Sequence, residues 1–113
     1  MKIISNPISR NKILENYNSF FRKMIKAVVD IDKQIIALDA ELHADLEELL
    51  LENGSKQKNL WGINLYLEKE KDKRIEYTAL INIRPSLDNR SMEIEDLQIR
   101  NKINKIVNRL ITI

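Results

Sequence analysis

The stretch WGINLYLEKEKDKRIEYTALINI, residues 61–83, contains the clearest structural pattern in the chain and predicts a β-hairpin. Both halves alternate apolar with polar or small residues, as strands with one buried face do. The apolar positions are Trp61, Ile63, Leu65 and Leu67, followed by Ile75, Tyr77, Ala79, Ile81 and Ile83. Residues 68–73 between the halves are all charged and indicate a solvated loop. The hairpin therefore supplies two neighbouring strands of an antiparallel sheet.

The register of this hairpin follows from placing Leu67 opposite Ile75, because cross-strand partners share a face. The pairs that result are Trp61 with Ile81, Asn64 with Thr78, and Leu60 with Asn82. We expect Trp61 on the core face and a largely polar opposite face, on which Leu60 and Leu80 are apolar exceptions. That opposite face is a candidate partner or homodimer surface.

Apolar residues recur at helical spacing on both sides of the hairpin. Residues 9–21 predict an N-terminal helix with Ser9 as its N-cap, since serine accepts hydrogen bonds from free N–H groups of the first turn. A C-terminal helix is predicted after Asp96, which is its expected N-cap. The apolar stripe of this second helix consists of Ile99, Ile103, Ile106, Val107 and Leu110.

Residues 24–52 fit two structures equally well. A stripe at helical spacing ends at Asn53-Gly54 and is typical of one long helix. Strict alternation between residues 35 and 47 is typical of strands, and the run Lys26–Ile31 is β-branched and strand-like. Spacing alone leaves both interpretations open.

Length and composition limit the classes of protein to which the chain can belong. A chain of 113 residues is the size of one domain, so we expect a single domain over residues 1–113. The 19 basic and 17 acidic side chains are interspersed, which argues against a nucleic-acid partner. There is no cysteine, no long apolar run and no apolar signal segment in residues 1–10, so we expect a cytoplasmic protein without a membrane association.

Four blocks of the chain resemble those of a family of small prokaryotic proteins known as a domain of unknown function: KAVVD (26–30), ELHAD (41–45), WGINLY (61–66) and INIRPS (81–86). The resemblance implies no activity or cofactor. According to this resemblance, relatives have a glycine pair at the positions of Asp39-Ala40. They also have a proline at the position of Leu67 and another at the position of Leu97. Glycine is poor in a helix interior, so the resemblance favours strands near residue 39. Proline suits a first helical turn, which agrees with a cap at Asp96.

The first candidate site is a stripe of Asp39, Glu41, His43 and Asp45. Residues two apart in a strand share a face, so these side chains would lie together and could hold a divalent metal or a general base. One histidine is too few for a typical catalytic zinc site, and polar residues commonly line a solvated strand face. In a helix the stripe would dissolve.

The second candidate site is a loop dense in hydrogen-bond donors, suited to a carboxylate or phosphate. Turns are also built from such residues, and an arginine here could pair with Glu93, Glu95 or Asp96. On the predicted outer face, Asn64 and Tyr66 join this candidate ligand-binding set. The loop residues are Asn82, Arg84, Pro85, Ser86, Asn89, Arg90 and Ser91.

Together these patterns predict an α+β fold: an N-terminal helix, an antiparallel meander of about five strands over residues 24–84, and a C-terminal helix packed on one sheet face. The leading hypothesis for function is a non-catalytic module that binds an anionic ligand or a protein partner. The alternative is a small hydrolytic or metal-assisted enzyme that uses Glu41, His43 and Asp45, with Asn64 or Arg84 as electrophilic partner. Nucleic-acid binding ranks third, because no nucleic-acid motif is present, and nucleotide-binding and serine-hydrolase motifs are missing as well.

Overall fold

The centre of the computed structural model, which describes residues 1–113, is a five-stranded antiparallel sheet with the strand order β1-β4-β3-β5-β6. The α+β class and the five-stranded antiparallel sheet are confirmed, but the predicted meander over residues 24–84 is wrong. The strand Lys2–Ile4 joins the sheet from outside that range, and the strand Leu60–Leu65 pairs with Ile25–Asp30 rather than with the strand that precedes it in the chain. Two short strands, β2 and β7, form a separate parallel pair. The strands are β1 Lys2–Ile4, β2 Ile8–Ser9, β3 Ile25–Asp30, β4 Ile35–Leu38, β5 Leu60–Leu65, β6 Ile75–Glu76 and β7 Ile111–Thr112, and the helices are α1 Arg10–Asn16, α2 His43–Glu52 and α3 Leu97–Leu110.

Both predicted helix caps are present. Ser9 Oγ accepts a hydrogen bond from the backbone N–H of Lys12 at the start of α1, and an Asp96 carboxylate oxygen accepts one from Gln98 N–H at the start of α3. Helix α1 is shorter than predicted, however, because it ends at Asn16 rather than Phe21. The chain leaves the helix where Ser19 donates from both its backbone N–H and its hydroxyl to the carboxylate of Asp39.

Residues 24–52 form neither one long helix nor a continuous set of strands. They fold as β3, β4 and then α2. A tight turn joins the two strands, because the Asp30 carboxylate accepts hydrogen bonds from the N–H groups of Asp32 and Lys33. Asp39 ends β4 with a φ of 71°, a left-handed conformation that glycine adopts most readily and aspartate tolerates. A glycine at this position is what the family resemblance implied.

Helices cover both faces of the sheet. As predicted, α3 packs on the face of Trp61, Ile63 and Leu65, where it buries four of its six apolar side chains in the larger core. The expectation of an open, polar opposite face is wrong, because α2 packs there over a smaller core. That core consists of Val28, Ala37, Ala40, Leu46, Leu50 and Leu60. No helix of the fold is both long enough and apolar enough to cross a lipid bilayer.

The predicted hairpin register is wrong by two residues. Leu65 lies opposite Ile75 and Asn64 opposite Glu76, because the loop closes early through a hydrogen bond from Tyr66 N–H to the carbonyl of Arg74. Strand β6 then ends at Glu76, so the pairs expected farther along do not form. Trp61 packs in the larger core, whereas Ile81 packs against the smaller one on the other face.

Beyond β6 the side chain of Asn82 takes the place of a neighbouring strand. Its Oδ1 accepts a hydrogen bond from Gly62 N–H at 2.8 Å, and its Nδ2 donates to Gly62 O at 2.9 Å. Asn89 in turn donates to the carbonyls of Asn82 and Glu93. Both asparagines are almost completely buried. We call them the asparagine brace, and it holds the segment 79–93 against β5.

We predict that Gly62→Ala destabilises the protein. An added Cβ would lie 2.5 Å from Ala79 Cβ, so the segment held by the brace must shift. Overpacking of this kind costs about 1–3 kcal/mol of unfolding free energy, measurable by urea denaturation.

Ala79→Gly provides the matched test. In the double variant Gly62→Ala/Ala79→Gly the closest contact is gone, and we expect part of the lost stability to return relative to the sum of the single changes. Strict additivity would show that the contact between these two positions is not the cause.

Candidate functional site

The candidate stripe of Asp39, Glu41, His43 and Asp45 does not exist as a strand face, because α2 begins at His43. Asp39 binds Ser19, while Glu41 and Asp45 are exposed side chains in different surroundings. No group of three or more histidine, aspartate or glutamate side chains lies close enough to hold one metal ion. The stripe therefore dissolves, because His43 and Asp45 lie on α2 whereas Asp39 and Glu41 precede it.

Arg84 is engaged within the protein. Its guanidinium group donates to the carbonyl oxygens of Gln57 and Leu60 at 2.9 and 2.6 Å, and it forms a 2.7 Å ion pair with Glu47. Burial lowers the pKa of Arg84, and the Glu47 carboxylate opposes that shift. The same guanidinium group lies over the Trp61 ring, 5.4 Å from its centroid. Arg84 therefore ties the loop to α2 and β5 and has few donors left for a ligand.

The rest of the donor-rich loop is divided between structural and exposed positions. Asn82 and Asn89 use their amide groups in the asparagine brace. Arg90 forms an exposed ion pair with Asp88, and Ser86 is exposed beside a shallow surface depression. The loop residues are close in space, but their donors do not converge on one enclosed pocket.

A different concavity, of about 540 Å³, opens beside the start of α2, and we call it the His43 pocket. Its volume lies in the range of small-molecule sites. Its walls come from the first turn of α2, from β3, β5 and β6, and from the segment held by the brace. The lining residues are Lys26, Leu42, His43, Ala44, Asn64, Glu76, Thr78, Ala79, Leu80, Ile81 and Met92.

A polar row crosses the floor of the pocket. Lys26 on β3 lies opposite Asn64 on β5, and Asn64 lies opposite Glu76 on β6. Asn64 Nδ2 donates to Glu76 Oε1 at 2.7 Å and to the carbonyl of Thr78 at 3.2 Å. Because both partners are acceptors, the amide orientation is fixed, and the Asn64 Oδ1 atom is left buried without a hydrogen-bond partner. The site holds an acceptor that the protein itself does not satisfy.

His43 joins the floor to the helix. Its Nε2 lies 2.8 Å from the carbonyl oxygen of Ile63, which can only accept, so Nε2 carries the proton of the neutral ring and Nδ1 carries the lone pair. Burial lowers the pKa of His43, an effect that the Lys26 charge increases and that the contacts with Ile63 and Asn64 oppose. His43, which lines the pocket, is therefore neutral at neutral pH.

The start of α2 contributes backbone groups to the same pocket. Leu42 at the N-cap position makes no side-chain capping bond, although it is followed by His43 and Ala44 in the pocket wall. The first N–H groups of a helix lack partners within the helix and carry a partial positive charge. Lys26 lines the same pocket, and its ammonium group lies over the Phe21 ring, 5.1 Å from the centroid. The helix start and Lys26 together offset the negative charge of Glu76, which is also in the lining.

Of the ligand-binding residues predicted from the sequence, Asn64 alone lines this pocket. Tyr66 lies next to it, with its hydroxyl 3.5 Å from Glu76 Oε1, and burial followed by the Glu76 charge raises the pKa of Tyr66. Lys26 and Glu76 were missed. Lys26 and Asn64 are neighbours only because β3 pairs with β5. The periodicity within either segment does not predict that these two strands pair.

A family model described as "Protein of unknown function (DUF5674)" matches residues 2–110. The chain belongs to this family. The predicted resemblance to a family known as a domain of unknown function is thereby confirmed, and with it the prediction that the family carries no assigned activity. No curated protein and no solved structure matches the chain.

We predict that this DUF5674 protein loses stability as the pH falls below about 6.5. The unfolded chain binds a proton at His43 near the ordinary pKa of 6.5, whereas the folded chain resists protonation because of burial. The contribution is fully present above pH 6.5 and is lost as the pH falls toward the folded pKa. His43 is the sole histidine, so its ring protons give an unambiguous NMR titration.

His43→Gln is the control for this pH dependence. The amide of glutamine does not titrate, so the difference in unfolding free energy between pH 7.5 and pH 5.5 should shrink in the variant. An NMR midpoint at or above 6.5 in the folded wild-type protein would contradict the prediction.

Proposed function

We propose that the protein is a non-catalytic binding module that takes a small anionic ligand in the His43 pocket. The observation that supports it is that the uncapped start of α2 and Lys26 line one concavity together with Asn64, whose buried Oδ1 atom has no partner. The first two attract a carboxylate or phosphate oxygen. The third is a buried acceptor that lacks a hydrogen-bond partner in the protein, which leaves the pocket floor with one unsatisfied polar atom.

The rim of the pocket accommodates an apolar part of the ligand. Leu42, Leu80 and Met92 line the opening and are 55%, 71% and 40% exposed, respectively. Small-molecule sites typically combine such apolar surface with a few convergent polar groups. The proposal therefore moves the anion site predicted from the sequence away from Arg84 and Arg90, whose donors are engaged elsewhere, to the other end of the segment held by the brace.

We predict that Lys26→Gln weakens the binding of carboxylate- and phosphate-bearing compounds about tenfold, because one charge-assisted contact is lost. Binding is followed by the NMR signals of the His43 ring and the Ala44 amide during titration with acetate, phosphate and an amphiphilic carboxylate such as hexanoate. Trp61 fluorescence is a poor reporter, since Trp61 is buried in the core on the other side of the sheet.

Lys33→Gln is the matched control, because it removes the same charge at the β3–β4 turn, where the Lys33 ammonium group donates to the carbonyl of Asn53. It should leave the titrations unchanged. If no compound shifts the His43 or Ala44 signals, or if both lysine variants behave alike, this pocket is not an anion site.

A second candidate function is supported by the neutral state of His43. With Nε2–H held by Ile63, the Nδ1 lone pair can accept a proton from water, which is the role of a general base in hydrolysis. Of the residues predicted for the enzyme, His43 and Asn64 line the pocket, whereas Glu41, Asp45 and Arg84 do not.

The hydrolytic candidate predicts that small activated esters or phosphoesters are hydrolysed at a rate that falls below pH 6.5 and is abolished in His43→Gln. Lys33→Gln serves again as the control and should retain the wild-type rate. A rate equal to the buffer blank, or one that His43→Gln leaves unchanged, would reject it.

A cytoplasmic location and a prokaryotic origin are also part of this proposal. The absence of cysteine supports the first, because disulfides are characteristic of oxidising compartments. The four sequence blocks shared with small prokaryotic proteins support the second.

A further inference from the structure

Charge is not evenly distributed in the fold, although both signs are interspersed along the chain as a whole. Helix α3 contains four basic residues and no acidic residue among its 14 positions. The remaining 99 residues hold fifteen basic and seventeen acidic side chains and are therefore net negative. The excess positive charge of the protein is concentrated on one helix.

Three of these four cations are free to meet a partner. Arg100 is held by the body of the protein, since it pairs with Glu93 and lies over the Tyr77 ring. Lys102, Lys105 and Arg109 are exposed and take part in no ion pair. Arg109 donates to the backbone and side-chain oxygens of Gln34, which orients the guanidinium group without neutralising its charge.

The three cations share one face of α3, and we call them the α3 basic face. Lys105 and Arg109 follow Lys102 by three and seven residues. The three side chains therefore lie within about 60° of one another around the helix and span about 10 Å of its axis. They border a shallow concavity of about 500 Å³, in which Asp32 is the single carboxylate. A nucleic-acid strand presents roughly one phosphate every 3.4 Å, so about three phosphates span this length.

The same geometry argues against a membrane as the partner. A helix that binds in a lipid surface must insert its apolar face. Four of the six apolar side chains of α3 are buried in the larger core, namely Ile103, Ile106, Val107 and Leu110, and Ile99 packs against that core. Leu97 alone is exposed, at the first turn, so the helix has no continuous apolar face to insert. The outer surface of α3 instead carries its cations and, beside them, the exposed amide of Asn101, which can donate to a phosphate oxygen; Asn108 donates to Asn104.

We propose that the α3 basic face binds the phosphate backbone of a nucleic acid without reading its sequence. Three phosphate contacts give a slope of about −2.7 for log Kobs against log salt concentration on duplex DNA, and about −2 on a single strand. On duplex DNA the affinity then falls about fortyfold between 50 and 200 mM salt. This surface is separate from the His43 pocket, and the two proposals stand or fall independently.

The test is fluorescence anisotropy of the full chain with labelled 20-mers of single-stranded RNA, single-stranded DNA and duplex DNA, over a salt series. We expect binding to at least one of them with a slope between −2 and −3. The variant Lys102→Gln/Lys105→Gln/Arg109→Gln should bind at least tenfold more weakly and lose nearly all of the slope. The oligonucleotide that binds most tightly identifies the type of nucleic acid.

Two control variants distinguish binding at the α3 basic face from a general effect of the protein's positive charge. Lys69→Gln/Lys71→Gln/Lys73→Gln removes three exposed cations from the loop between β5 and β6 and should keep the wild-type affinity. Lys102→Arg/Lys105→Arg preserves the charge and should also keep it. Equal loss in both triple variants, absence of binding to every oligonucleotide, or binding confined to phosphatidylserine vesicles would overturn the proposal.

Discussion

The side-chain amide of Asn82 completes the hydrogen bonding of Gly62, in the middle of the longest strands of the sheet. A neighbouring strand would normally supply that donor and acceptor, but β6 ends after two residues. Without Asn82, a buried N–H and a buried carbonyl would be left unsatisfied at a cost of about 1–3 kcal/mol each. The absence of a Cβ at Gly62 lets Ala79 pack directly against the strand. A single amide therefore fixes how closely the segment 79–93 approaches the sheet.

That close approach shapes the candidate site. Ala79, Leu80, Ile81 and Met92 belong to the segment held by the brace, and they form one wall of the His43 pocket. The opposite wall is the first turn of α2, which covers the apolar part of its sheet face and stops short of the row formed by Lys26, Asn64 and Glu76. The pocket exists because two elements cover one face of the sheet incompletely.

Local signals in the sequence identified the features that depend on local chemistry. Ser9 and Asp96 were recognisable as caps because their side chains bond to N–H groups two or three residues away. The alternation of Trp61, Ile63 and Leu65 reported the buried face of β5 correctly. Features that depend on distant partners were not recognisable. Ile81 and Ile83 continue the alternation of a strand, yet the brace draws this part of the chain into short turns instead.

The candidate site shows the same difference between features that depend on local chemistry and features that depend on distant partners. The donors of the INIRPS block looked suited to a ligand because their chemistry is the same whether they bind a ligand or the protein's own backbone. Asn82 and Arg84 bind backbone carbonyls that lie 20 to 27 residues away, in β5 and the turn before it. The polar row of Lys26, Asn64 and Glu76, which does face a cavity, comes from three different strands. Each strand contributes one polar residue that belongs to no sequence motif.

The pairing of β2 with β7 has a consequence for the order in which the protein can fold during synthesis. Ile8 lies beside Ile111, and α3, immediately before β7, supplies four side chains of the larger core. A nascent chain that still lacks these residues leaves the part of the sheet face that α3 covers exposed, although α1 already contributes Ile13 to the same core. The final tertiary structure can therefore form only after the last helix has left the ribosome. Until then the emerging sheet must be protected from contacts with other chains.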